Sequence, residues 1–221
     1  MVYVTGDLHA DLSRLTGPSA RRLRKGDILL VCGDFGFIWD GSAAEQKRLA
    51  RLARLRYTVA FVDGRHENFD LLNDYPTVEW NGGTARQIND RVFHLQRGQI
   101  YTLEGHTYFT FGGGESDDKE FRIPGESWWQ AELPTEEEML AARERLAAHG
   151  NRVDCIITHM PSLKARARLH SRVSTDGVSI FLGALEDTVT CSRWYFGSLH
   201  MDKALSAQRR SVFRDILPIE F

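Results

Sequence analysis

Cysteine is scarce: the chain of 221 residues holds three, Cys32, Cys155 and Cys191, each in or beside an apolar run and none at metal-type spacing. That excludes a disulfide framework and a thiolate zinc site, and predicts core thiols in a reduced compartment. Long apolar runs are missing as well. None approaches the roughly 18 residues of a membrane span, and Met1 to Thr5 leads into Gly6-Asp7 without a basic or apolar leader. A soluble, cytoplasmic protein without membrane contact is the expectation. Neither sign of charge dominates, because 28 Lys and Arg face 30 Asp and Glu for a formal net charge of -2. There is thus no global field to draw in nucleic acid, and no extended basic stripe in its place. Repeats, low-complexity tracts and linker-like stretches are also lacking, so residues 1–221 read as one domain.

What the chain does have is a series of short apolar runs. Residues 2–5, 27–32 and 57–62 are continuous rather than alternating, the pattern of strands covered on both faces. Between the second and third, Ser42 and Glu45 are spaced as a capping box for a helix whose apolar stripe is Leu49, Leu52, Ala53 and Leu55. Strand, crossover, strand, crossover, strand predicts an α/β layer fold. Residues 91–95 read as a further strand, and 99–103 with 107–111 as a hairpin turning at Gly105. A loop rich in Gly, charge and Trp follows over residues 112–133, long enough to suggest a lid. Thr135 and Glu138 form a second capping box, for a helix that stops at Gly150. Residues 154–158 and 192–196 are strands, and 211–218 a last one.

Chemistry-bearing residues gather where these strands end. Asp7 and His9 follow the first and Asp34 the second, while His159 and His200 follow two later ones. Ligands at strand ends converge on one rim of an α/β sheet. Asp7 and His9, two apart, share a side of an extended backbone, and the Gly before each Asp allows close approach. Each cluster alone is weak, since a lone His after a strand is commonly structural. Their joint placement points to a metal centre for phosphoester chemistry, with an α/β core carrying polar rims as the alternative. Two carboxylates with imidazoles make a mixed N/O site suited to manganese, iron or zinc rather than copper or an iron–sulfur cluster.

With Gly6-Asp7-Leu8-His9, Gly33-Asp34, Gly64-Arg65-His66-Glu67, Thr158-His159 and Gly197-Ser198-Leu199-His200 in this order, the chain resembles the calcineurin-like metallophosphoesterases. Phe61-Val62-Asp63-Gly64, Phe111-Gly112-Gly113, Ser127-Trp128-Trp129 and Tyr195-Phe196-Gly197 make it similar to their small single-domain bacterial and phage members, over essentially the whole chain. The resemblance implies an α/β sandwich of two mixed β-sheets flanked by helices. It implies a first metal held by Asp7, His9, Asp34 and His200, with Asp34 bridging to a second that also uses His159, and His66 as general acid. It leads one to expect Asn at position 65 and His at 198, where this chain has Arg65 and Ser198. Arginine offers only donors and stays charged, and serine is a poor neutral ligand. The second site then keeps only Asp34 and His159, so one firmly bound divalent ion is expected per chain, manganese first, iron or zinc otherwise.

Three readings of Arg65 stay open. It replaces the second cation and clamps a phosphoryl oxygen in a metal-dependent phosphatase or phosphodiesterase. Or the protein is a weak or inactive relative that binds a phosphorylated ligand or acts as a scaffold. Or Arg65 pairs with Asp34 or Asp63 in a purely structural pocket. Asp63 or Glu67 would orient neighbouring groups. On the lid, Lys119 and Arg122 are candidates to contact phosphate, and Trp128 or Trp129 to stack on a base. Arg166, Arg168, His170 and Arg172 either guide an anionic substrate or balance surface acid. The implied partner is a phosphorylated small molecule or a nucleotide.

Overall fold

A computed structural model describes residues 1–169 and 176–221. The first apolar runs become β1 (Val2–Thr5), β2 (Ile28–Val31) and β3 (Thr58–Phe61), parallel and in register, with Val4 beside Leu30 and Leu30 beside Ala60. The helices α1 (Leu12–Thr16), α2 (Ala43–Leu52) and α3 (Phe69–Asn73) interleave with them. Next come β4 (Thr77–Trp80), β5 (Gly83–Asn89) and β6 (Val92–Leu95), of which β6 joins β3 in parallel and β5 runs antiparallel to both its neighbours.

The second sheet begins with the hairpin of β7 (Gln99–Leu103) and β8 (His106–Phe111), then adds β9 (Cys155–Thr158) and β10 (Arg193–Phe196) in parallel. The helices α4 (Glu136–Ala148), α5 (Leu163–Arg168) and α6 (Gly177–Thr188) accompany it. Short strands β11 (Lys203–Ala204) and β12 (Arg209–Ser211) finish it, and β13 (Leu217–Pro218) returns to the first sheet. The orders are β13-β1-β2-β3-β6-β5-β4 and β11-β12-β10-β9-β8-β7. This is the sandwich of two mixed sheets flanked by helices that the family resemblance implies.

Strand alternation explains why the apolar runs are continuous. Leu29, Val31, Val59 and Phe61 pack with Leu15, Leu49, Leu52 and Leu72 from α1, α2 and α3. The intervening Leu30, Cys32, Ala60 and Val62 meet Tyr108, Cys155, Ile157 and Tyr195 of the other sheet. On the far side, Phe109, Phe111, Ile156 and Trp194 pack with Leu146, Phe181 and Leu182 of α4 and α6. Each fully buried Leu, Val or Phe is worth roughly 1.5–3 kcal/mol, so both faces of every central strand contribute. Cys32 and Cys155 are buried free thiols in the inter-sheet layer, and Cys191 is a half-buried one. No described helix is long and apolar enough to cross a membrane.

Three local features differ from the sequence reading. Ser42 caps α2 through the Glu45 amide, but there is no capping box, because the Glu45 carboxylate turns back to accept the amides of Trp39, Asp40 and Gly41. The Thr135 and Glu138 box on α4 is complete. The hairpin of β4 and β5 was signalled by Asn81-Gly82, at φ 48° and 85°, a two-residue turn whose positive φ values suit these residue types. The tail is not one strand: β12 pairs with β10 and β13 with β1, so the chain crosses between the sheets at residues 212–216.

Candidate metal centre

Tight turns after the strands, rather than extended backbone, bring the acids and imidazoles together. His9 (φ 47°), Asp34 (φ 45°), Ser198 (φ 65°) and His200 (φ 49°) all sit in the left-handed region. Such residues cost on the order of 1 kcal/mol each and persist only where their surroundings over-determine them. The expected extended geometry for Asp7 and His9 is therefore corrected. The amides of Leu8 and His9 both donate to the Asp34 carbonyl at 2.9 Å, which wraps one motif onto the other. The motif glycines clear the space. A Cβ at Gly33 would collide with the His159 ring, at Gly64 with the Asp34 carboxylate, and at Gly197 with the Asp7 carboxylate.

Asp7, His9, Asp34 and His200 present ligand atoms within 4.8 Å of one another. His200 Nε2 lies 3.1 Å from Asp7 Oδ2 and 2.9 Å from His9 Nε2, which is itself 3.8 Å from Asp34 Oδ2. Both carboxylates are buried and oriented by amides: Ser198 N–H reaches Asp7, and the N–H groups of Arg65 and His66 reach Asp34 Oδ1 at 2.6 and 3.1 Å. Burial pushes Asp34 up, yet the imidazoles of His159, His66 and His9 outweigh it and hold the carboxyl down at about 2. Burial lowers His9, while the hydrogen bond to Asp7 raises His200. Two imidazole nitrogens aimed at each other beside two anionic carboxylates are a donor set that fits a divalent cation.

The other half of the centre is different. His159 is fully buried, and its Nδ1 contacts the Cys32 carbonyl at 3.0 Å. With the proton on Nδ1, Nε2 carries its lone pair without a hydrogen-bond partner, 3.5 Å from Asp34 Oδ1. Across from it stand Arg65 and Ser198. The Arg65 guanidinium places Nη2 3.5 Å from Ser198 Oγ and Nη1 3.1 Å from both the Glu115 carbonyl and Asp117 Oδ2. The reading in which this guanidinium pairs with Asp34 or Asp63 is thus corrected, since only the Arg65 backbone touches Asp34. Ser198 Oγ in turn donates to Met160 Sδ at 3.3 Å.

His66 Nε2 is 3.9 Å from Asp34 Oδ2, and burial lowers its pKa, with Asp34 opposing. Asp63 pairs with Arg97 at 2.6 Å and His94 at 3.1 Å; burial pushes its carboxyl up, yet Arg97 and His94 outweigh this and hold it well below the usual carboxylate range. Glu67 accepts the amides of Phe35 and Gly36 and so shapes the turn beyond Asp34, while burial pushes its carboxyl up.

On the loop, Lys119 pairs with Glu115, and Arg122 Nε with Asp118 at 2.8 Å while its Nη1 lies 3.4 Å from the Arg65 carbonyl. The tryptophans part company. Trp129 is buried edge-on to Trp39 with its N–H on Asp70, whereas Trp128 stays half-buried with its N–H on Glu132. Arg166 is buried in a pair with Asp176, which removes it from a surface guiding cluster. Arg168 is exposed, and His170 and Arg172 lie outside the described residues. Sequence reading passed over Arg14, which donates to the carbonyls of Asp7 and Phe213, and over Phe213, which stacks on His200 at 4.6 Å. Nothing in their spacing marks either, because the two meet each other across 199 positions.

Residues 1–186 match the family model described as calcineurin-like phosphoesterase. Sequence comparison with curated proteins gives no significant match. Among solved structures, TT1561 of Thermus thermophilus is similar at 15% identity, with 96% of this chain and 87% of that one covered and a TM-score of 0.48. Phosphopantetheinyl hydrolase (PptH) from Mycobacterium tuberculosis is similar at 19% identity, with 96% and 89% covered and a TM-score of 0.49.

Proposed function

The chain belongs to the calcineurin-like phosphoesterases, and from that premise we propose that it hydrolyses phosphate esters with one firmly held divalent ion and Arg65 in place of a second. The family's chemistry is metal-dependent phosphoester hydrolysis. The observation that carries the finer reading is the Arg65 guanidinium, 3.5 Å from Ser198 and held by a loop carboxylate rather than by Asp34 or Asp63. Asp7, His9, Asp34 and His200 would hold the ion, manganese by preference, with iron or zinc compatible with the same donors. Such an ion supplies Lewis-acid stabilisation of phosphoryl charge and lowers the pKa of water.

The chain's own groups do the rest. Arg65 presents a planar fork suited to two phosphoryl oxygens once Asp117 gives way. His66, beside Asp34, donates a proton to the leaving oxygen. The Ser198 amide keeps the Asp7 carboxylate in place, and the amides of Arg65 and His66 that of Asp34. Lys119, Arg122 and Trp128 would meet a phosphorylated small molecule or nucleotide from the loop side, Arg122 being the one beside the Arg65 backbone. Rates on unactivated monoesters and diesters are expected to be low, because one clamp of two is a cation without Lewis acidity. His66→Gln tests the enzyme against a binding protein. Loss of about 10²-fold in kcat with KM and metal content kept supports hydrolysis; a change in affinity alone supports the binder, which the Asp117 contact on Arg65 favours as second reading. Anomalous scattering from manganese-grown crystals counts the ions, one per chain being expected.

A further inference from the structure

Behind the catalytic turn lies a cavity of about 410 Å³ that the hydrolytic reading does not use. Three guanidiniums reach its wall from three elements: Arg86 on β5, Arg97 between β6 and β7, and Arg145 on α4. Two carboxylates also line it, Asp63 and Glu138, but both are committed to Arg97, at 2.6 and 3.0 Å. Arg86 donates through Nη1 to the carbonyls of Asn73 and Tyr75, and Arg145 through Nη1 to that of Gly98. Among the described residues neither has a carboxylate at ion-pair distance, and the Nε and Nη2 donors of both are unspent. On the same wall stands His94, 6% exposed, with Nε2 on Asp63 and Nδ1 lacking any hydrogen-bond partner. A buried imidazole nitrogen left unpaired costs free energy that a ligand recovers.

We propose that this cavity is a second anion site, separate from the metal centre, which takes a phosphate-class oxyanion between Arg86 and Arg145. Two guanidiniums with free N–H edges match an oxyanion of several acceptor oxygens, and the cavity has room for the group with part of what it is attached to. His94, whose Nε2 is held by Asp63, stands on the same wall beside the two arginines. Asp63 immediately precedes the Gly64-Arg65-His66 turn, so the ligand bears on the catalytic half through a residue common to both.

The test is a titration of the metal-loaded protein with inorganic phosphate and, separately, with a nucleoside monophosphate, followed by calorimetry. Arg86→Gln with Arg145→Gln should weaken one class of binding by at least about tenfold, the usual loss for charged hydrogen bonds, and leave metal content unchanged. Arg65→Gln should leave that class intact, whether or not phosphate also binds at the metal centre. Equal affinity for the two probes marks a site for the free ion, and tighter monophosphate binding a site for a phosphoryl group on a larger molecule; either supports the proposal. Arg145→Gln alone, at an exposed helix position, guards against a folding artefact and should itself weaken binding severalfold. No phosphate binding beyond a class lost with Arg65→Gln, or binding indifferent to both arginine variants, overturns it.

Discussion

The two halves of the centre are built by the same local devices and end in opposite chemistry. Both hang on Asp34, both follow strand ends through left-handed residues, and both have a glycine that clears a ligand side chain. In the half made by Asp7, His9 and His200, carboxylate and imidazole ligand atoms converge, with those of Asp34, to within 4.8 Å of one another. In the half made by His159, Arg65 and Ser198, a permanent cation and a short hydroxyl flank one buried imidazole. The difference teaches that one scaffold can present two donor sets around a shared carboxylate: converging metal-type ligands on one side and, on the proposed reading, a covalently attached guanidinium where a second cation would stand.

Asp34→Asn strikes the residue common to both halves. It should abolish firm metal binding and lower activity by roughly 10³-fold or more, since it removes a ligand and an anion that the surrounding amides and imidazoles are arranged around; retained metal at full occupancy, read by atomic absorption, would break the comparison. Asp63→Asn undermines only the arginine half, by taking the buried carboxylate from Arg97 and leaving it Glu138 alone, and should cost up to about 3 kcal/mol in denaturant unfolding. The pH dependence sharpens this. Asp63 has its carboxyl depressed in the fold, so its contribution is present above the unfolded carboxyl pKa of about 4 and is lost as pH falls through the lower folded value. The wild type should therefore lose stability in acid where Asp63→Asn has less to lose, an ordering that acid titration at fixed urea would reveal.

Arg65→Asn with Ser198→His should convert the second half into the first kind and raise metal content from about one to about two ions per chain, given ligands of the right donor type beside Asp34 and His159. An unchanged stoichiometry would mean that the two halves differ by more than these side chains. The smallest effect is expected for Asp117→Asn. Removing a half-exposed carboxylate from Arg65 should lower KM for a phosphoester by a few fold, as a charge-assisted competitor becomes a neutral one. A raised KM would instead make Asp117 part of the substrate site.

The strands and their order of motifs were legible because burial on both faces writes a continuous apolar run, as in 28–31 and 155–158, and because the acids follow those runs directly. Helix α6, with Asp176 as its cap, was passed over although the Asp and Ser179 spacing offered the signal. The Arg65 environment was not legible at all. Its partners Glu115, Asp117 and Ser198 come from segments up to 133 residues away in sequence, and no local spacing encodes them. Likewise Glu45 satisfied a capping-box pattern while the fold spent its carboxylate on three loop amides.

The crossing of the tail between the sheets bears on the order in which the molecule assembles. Phe213 lends its carbonyl to Gly6 N–H and to Thr5 Oγ, 208 positions earlier for the latter, and its ring to His200, while Val212 N–H closes on Phe196. Residues from the first and last few per cent of the chain must meet before Asp7 and His200 stand at 3.1 Å. Contacts of that sequence separation slow folding, because their loop-closure entropy is lost before they form. The strands of each sheet can pair earlier, but a competent metal-binding constellation is a late product of folding, so capture of the ion should report completion of the fold and act as a lock on it rather than as its nucleus.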